Sequence, residues 1–153
     1  VWLARQGWQV AAVDFSRAGL QKARRLAADH DVSDRVEIVQ ADALTYAPPE
    51  PVDLVVVSYL QIPIEEQRLA LGHAAGWLRP GGTILVVAHD LTNLESGYGG
   101  PSEPDRCYTL DRTVAAFDGL DITTAEIVQR DVDSDEGTQV ALDTLVIAKR
   151  PAG

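Results

Sequence analysis

Trp8-Gln-Val-Ala-Ala-Val-Asp14 is a short apolar strand that stops on a carboxylate, and Phe15 and Ser16 follow it at once. Ser16 is placed to cap a helix, so the run reads strand, acid, helix. In a doubly wound α/β fold an acid in that position faces the crevice at the carboxyl ends of the strands. There it can accept hydrogen bonds from both hydroxyls of a ribose. A second acid, Asp42, follows the next strand, Val36-Glu-Ile-Val-Gln40, within Ala41-Asp42-Ala43. Two acids at the ends of consecutive strands suit a nucleoside, one for the sugar and one for the base. Each also has a plainer reading: Asp14 as an acid satisfied by N–H groups at the helix start, Asp42 as an ordinary loop acid.

The rest of the chain continues the alternation. Val1 to Arg5 reads as the end of a helix stopped by Gly7. A helix from about Arg17 to Asp31 carries Leu20, Ala23, Leu26 and Ala27 on one face. Val52-Asp-Leu-Val-Val-Val-Ser58 is β-branched and apolar on both faces, the pattern of a buried parallel strand. Pro63 opens a helix that runs to Leu78, the segment Arg79-Pro-Gly-Gly82 turns, and Thr83 to Ala88 forms another buried strand. Thr92 to Thr109 is a glycine-rich polar loop too long for a plain connection. After a short helix at Leu110 to Phe117, two strands close the chain, about Leu120–Arg130 and Gln139–Lys149. The seven residues Asp131 to Gly137 between them cannot hold a crossover helix, so the pair is an antiparallel hairpin.

The 153 residues are 46% hydrophobic, with 13 basic against 23 acidic side chains and a net charge of −10. A single domain of this size buries roughly two-thirds of its unfolded surface. The acidic balance and the lack of a Lys/Arg cluster argue against nucleic acid as a partner. Lys22-Ala-Arg24-Arg25 reads as a solvated helix face. The longest apolar runs are strand-length, so no membrane span is expected. Cys107 is the only cysteine, which excludes an internal disulfide or a cysteine-built zinc site and fits a reducing compartment. A cytoplasmic location is the expectation. No metal cluster is expected, and the sequence does not speak to oligomeric state.

Alternating helix and strand with a terminal hairpin resembles the class I S-adenosylmethionine (SAM) dependent methyltransferases, with a narrower likeness to the tellurite-resistance-type enzymes that act on small molecules. The resemblance implies a doubly wound Rossmann-like sheet, SAM as cofactor and a small-molecule methyl acceptor as partner. It makes Asp14 the ribose-holding acid at the end of the family's second strand. It makes Asp42 and Ala43 the adenine-reading pair, through the carboxylate and the Ala43 backbone N–H. Val52–Ser58 matches the family's fourth strand, and Leu78-Arg-Pro-Gly-Gly82 its usual turn into the fifth.

The family's first strand and its glycine-rich turn should precede the helix at Val1, and the chain begins inside that helix. It therefore reads as one methyltransferase-like domain that is N-terminally incomplete, the other reading being a short chain completed by another polypeptide. With strands spaced about 4.8 Å apart, the missing central strand would leave a gap of about 10 Å. The later Gly97-Tyr-Gly-Gly100 does not replace it, because no strand leads in and no helix follows directly.

Phe15 is a candidate to pack on the adenine, and Ser58 to contact cofactor through its backbone. Tyr59, Asp90, Tyr98 and Tyr108 are candidates for the acceptor side, the last three within or beside the long loop, which reads either as a lid or as a plain surface loop. His89, after the fifth strand, is the histidine placed for acid–base work near neutral pH, although a packing role suits it too. Cys107 lacks an activating partner in sequence. Two other functions stay open: a nicotinamide-dependent oxidoreductase, which would use Asp14 equally well, and a SAM-binding module without catalysis. The hairpin and Asp42 argue against the first; a methyl-transfer assay separates the second.

Overall fold

The alternation of helix and strand read from the sequence is present throughout the computed structural model, which describes all 153 residues. The chain forms two units, Val1–Tyr46 and Ala47–Gly153.

In the first unit, α1 (Trp2–Arg5) leads into β1 (Val10–Asp14), α2 (Arg17–Asp29), a single 3-10 turn at Ser33–Arg35 and β2 (Val36–Gln40). β1 and β2 run parallel in register from Val10↔Val36 to Asp14↔Gln40, so both strands deliver their carboxyl ends at one level. The Ser16 hydroxyl accepts the Gly19 N–H at 3.1 Å and caps α2. Ala27 joins Ala4 and Val32 in a small core, with Val1, Val10 and Val36 against it. Leu26, expected on the buried face, is 49% exposed. Leu20 and Ala27 are seven residues apart and share a stripe, whereas Leu26 falls outside it.

The second unit contains β3 (Val52–Ser58), α3 (Ile64–Gly76), β4 (Leu78–His89), α4 (Asn93–Ser96), α5 (Leu110–Ala115), β5 (Asp121–Ser134) and β6 (Gly137–Lys149). Its sheet has the order β3-β4-β6-β5, with β3 and β4 parallel and the other pairings antiparallel. α3 buries Gln67, Ala70, Leu71, Ala74 and Ala75, a helical stripe, and its first turn carries Glu65 and Glu66, which oppose the helix dipole. Leu71, Ala74 and Ala75 pack with Val55, Ile84, Val86, Val146, Tyr108 and Phe117 in the main core. Burying a Val- or Ile-sized side chain such as those of Ile84, Val86 and Val146 contributes about 1.5–3 kcal/mol. No helix is long and apolar enough to cross a membrane.

Three expectations shift. β3 is not buried on both faces: Val55 lies in the core, while Val56 is 47% exposed on the other face. β4 begins at Leu78 and takes up the Arg79–Gly82 segment, with a register break between Val52↔Leu78 and Leu54↔Thr83. Gly82 makes this possible, since a Cβ there would lie 2.9 Å from the Arg79 carbonyl oxygen. In the hairpin, β5 continues through Asp131, Val132 and Asp133 to Ser134, and only Asp135 and Glu136 form the turn. The acids expected in a loop alternate instead on the exposed face of an edge strand, where charge also discourages edge pairing.

Candidate functional site

In the first unit the two acids meet backbone N–H groups with one oxygen each. Asp14 Oδ1 accepts the Ser16 N–H at 2.8 Å, and Asp42 Oδ1 accepts the Leu44 N–H at 2.8 Å. The plainer capping and turn readings are therefore real, but each uses only one oxygen. A Cβ on Gly19 would lie 2.9 Å from Asp14 Oδ2, so glycine leaves room for that carboxylate over the helix start. Ala41 N–H bonds the Asp14 carbonyl at 3.2 Å, and the Ala43 N–H has no partner in the chain. The Phe15 ring is 69% exposed. Two fixed carboxylates, a free N–H and an open aromatic face form a donor and acceptor set that fits a nucleoside.

In the second unit three side chains converge on Asp143, which is 1% exposed on β6. The β4–β6 register sets His89 directly opposite Asp143. His89 Nδ1 lies 3.2 Å from Asp143 Oδ1; the pair is not aligned as a hydrogen bond, and neither atom has another partner. Asp143 Oδ2 accepts the Tyr59 hydroxyl at 2.6 Å and the Arg130 Nε–H at 2.9 Å. The Arg130 guanidinium lies 5.4 Å from the Tyr59 ring centroid, and the Tyr59 and His89 rings are 5.2 Å apart. Tyr59 directly follows β3 at φ 51, a left-handed conformation that is strained for an aromatic residue. Its N–H on the Val87 carbonyl and its hydroxyl on Asp143 hold it there.

Burial lowers the His89 pKa and outweighs the opposing pull of Asp143, while Arg130 adds to the lowering. His89 is thus a neutral imidazole beside a carboxylate at neutral pH. Burial, then the Asp143 hydrogen bond, raise the Tyr59 pKa, so its hydroxyl stays protonated and donating. The Asp143 hydrogen bond raises that of Arg130.

Ser58 is exposed at the end of β3, and Tyr98 is 42% exposed in the long loop. Asp90 and Tyr108, expected to face an acceptor, are instead taken up by the protein. Asp90 accepts from the Thr92 N–H and hydroxyl at 2.9 and 2.7 Å and from the Thr144 hydroxyl at 2.6 Å. Tyr108 lies in the core and donates to the Leu60 carbonyl at 2.6 Å. The loop is pinned rather than loose: Asn93 donates to the Gly99 carbonyl and accepts from the Leu142 N–H, and the Tyr98 N–H bonds the Val140 carbonyl. Cys107 is buried, and burial raises its pKa, which keeps the thiol protonated.

The sequence pattern of the family described as "Methyltransferase domain" matches residues 1–82, more than half of the chain. The chain belongs to that methyltransferase family. Among solved structures, it is similar to the glycopeptide N-methyltransferase MtfA complexed with SAM, at 20% identity and TM-score 0.68 over 97% of this chain and 75% of that one. The N-methyltransferase NodS from Bradyrhizobium japonicum WM9 matches at 16% identity and TM-score 0.68, over 94% and 74% of the two chains. The [4+2]-cyclase SpnF matches at 16% identity and TM-score 0.72, over 99% and 70%. At these identities the likeness shows the fold, the Rossmann-like class I SAM-dependent methyltransferase fold, and SAM is the cofactor of this methyltransferase domain. No curated protein sequence matches the chain. None of the structures stands apart from the rest, so the narrower tellurite-resistance likeness is not distinguished.

Sequence reasoning missed Asp143 and Arg130. The available signal was an acid inside the apolar run Val140-Ala-Leu-Asp-Thr-Leu-Val-Ile147, which must find a partner if that strand is central.

Proposed function

We propose that this methyltransferase acts on a small-molecule acceptor, of the kind used by the tellurite-resistance-type enzymes, and that His89 removes the acceptor's proton. The observation that carries the reading is a mostly buried imidazole facing the Asp143 carboxylate at the end of β4, where burial lowers its pKa. An imidazole kept neutral at pH 7 is ready to accept a proton.

SAM, when bound, supplies an already electrophilic methyl group on a sulfonium. Asp14 would hold its ribose through the oxygen left free by Ser16, Asp42 and the Ala43 N–H would read the adenine, and Phe15 would cover one face of the base. Ser58 would add a backbone contact. Tyr59 and Tyr98 would meet the acceptor, and the loop around Tyr98 would exclude water. The protein's remaining task is alignment, which accounts for much of the rate in such transfers.

The test is a methyl-transfer assay across oxygen, nitrogen and thiol acceptors, with SAM binding measured separately by calorimetry. Transfer to at least one small acceptor, and a marked rate loss in His89→Ala for acceptors that must lose a proton, are the expected results. SAM binding without transfer to any acceptor would favour a binding module. SpnF, a cyclase on this fold, is a reminder that fold alone does not fix the reaction.

A further inference from the structure

We infer that Asp143 is the positioning residue for His89, holding the ring with Nδ1 protonated and turned inward so that the Nε2 lone pair is the one offered to an acceptor. The inference rests on the proposed role of His89 as base.

The argument begins with donor and acceptor accounting. An ionised carboxylate can only accept hydrogen bonds, and a neutral imidazole has one N–H and one lone pair. Asp143 Oδ2 is already occupied by the Tyr59 hydroxyl and Arg130. Oδ1 faces only His89 Nδ1, at 3.2 Å, and both atoms are buried with no other partner. Leaving a buried carboxylate oxygen against a ring lone pair would repel, so the hydrogen belongs on Nδ1. A small ring rotation then completes the hydrogen bond. Nε2, which bonds nothing in the chain, is left with the lone pair.

The arrangement is built from four strands. Asp143 comes from β6, His89 from β4 by direct cross-strand register, and Arg130 from β5, two residues along from the Val128 that pairs with Asp143. Tyr59 closes it from the end of β3. The charged and titratable groups facing the ring are Asp143, Arg130 and Tyr59. Neighbouring Asp90 is bonded to Thr92 and Thr144. When an acceptor O–H or N–H gives its proton to Nε2, the acceptor keeps the electron pair. The resulting imidazolium then faces the Asp143 carboxylate, which stabilises the charge without taking the proton.

The test uses protein labelled with ¹⁵N in its histidine rings, without cofactor. In the wild type His89 should show a protonated Nδ1 and an unprotonated Nε2 above its pKa. In Asp143→Asn that pattern should be lost, and the His89 pKa should fall below the wild-type value because the carboxylate's charge is gone. Methyl transfer at pH 7 should drop by roughly tenfold or more, with SAM affinity within threefold of the wild type. Tyr59→Phe, which keeps the ring and the Arg130 contact, should retain the wild-type ¹⁵N pattern. An Nε2–H tautomer in the wild-type protein overturns the inference even if Asp143→Asn fails to fold, and so does an unchanged ¹⁵N pattern in Asp143→Asn. A normal ¹⁵N pattern combined with wild-type turnover in His89→Ala would instead remove the base assignment while leaving the Asp143–His89 pairing intact.

Discussion

Gly100 lies against the His89 ring: a Cβ built on it would sit 2.8 Å from Cγ and Cδ2 and 3.1 Å from Nδ1. The backbone there has φ +84, a conformation that costs an L-residue about 1–2 kcal/mol. Gly100→Ala therefore combines strain with a clash that turns the imidazole away from Asp143. Thermal unfolding should show a loss of at least about 1 kcal/mol, and the His89 ring signals should move. A variant of unchanged stability with unmoved His89 resonances would mean that the loop does not touch the ring in solution.

Asp14 carries two duties that substitution can separate. Asp14→Ala should weaken SAM binding by about 1.5–3 kcal/mol, the scale for hydrogen bonds to a charged group, and also destabilise the fold by about 1 kcal/mol through the lost contact to the Ser16 N–H. Asp14→Asn keeps an oxygen for that N–H, so it should hold its stability and still bind SAM more weakly. Asp42→Ala should cost less affinity, because the Ala43 N–H remains. Calorimetric titration and chemical denaturation together decide the assignment. Wild-type SAM affinity in Asp14→Asn would leave the acid with its helix-start role alone.

Much of this architecture is legible in the sequence. β1, β2 and the acids after them are local features, set by strand patterning and the Ser16 cap, and the limits of β3 were read to the residue. The terminal hairpin followed from a connection too short for a helix. The network around Asp143 was not legible, because it depends on register. Reading Asp131 to Gly137 as a loop leaves the β5–β6 alignment undefined, and without it neither Arg130 nor the partner of Asp143 can be named. The place of Tyr108 is hidden from the sequence for a related reason. It lies in a polar loop, but it enters the core beside Phe117, where its hydroxyl finds the Leu60 carbonyl.

The lowered His89 pKa has a thermodynamic consequence. Histidine ordinarily titrates at about 6.5, and burial holds His89 below that in the folded state. In the window between the two values the unfolded chain binds a proton that the folded chain does not. Stability from this group is therefore complete above about pH 6.5 and is lost as pH falls through the folded value. Denaturation between pH 7.5 and 5 should show the wild type losing more stability than His89→Gln. His30 and His73 are present in both proteins and cancel. Parallel profiles would mean that His89 titrates alike in both states.

The acceptor side is best probed at Tyr98, because the two loop tyrosines now have different expected signatures. Tyr108→Phe removes a core hydrogen bond and leaves the Leu60 carbonyl without its partner, which should cost about 1 kcal/mol of stability. It should leave acceptor preference unchanged. Tyr98 is half-exposed, and only its backbone N–H is used by the fold, on the Val140 carbonyl. Tyr98→Ala should therefore be nearly neutral for stability while changing turnover or the order of preferred acceptors. SAM affinity should stay within about threefold, under ~0.7 kcal/mol, since the ribose and adenine contacts are assigned to the first unit. Because the loop is pinned through Asn93, the effect should come from the side chain itself, and Tyr98→Phe should resemble the wild type unless the acceptor bonds the hydroxyl. Turnover measured for each variant against the full acceptor panel distinguishes these outcomes. If Tyr98→Ala methylates every accepted substrate at the wild-type rate, the segment is a surface connection and acceptor selection lies elsewhere.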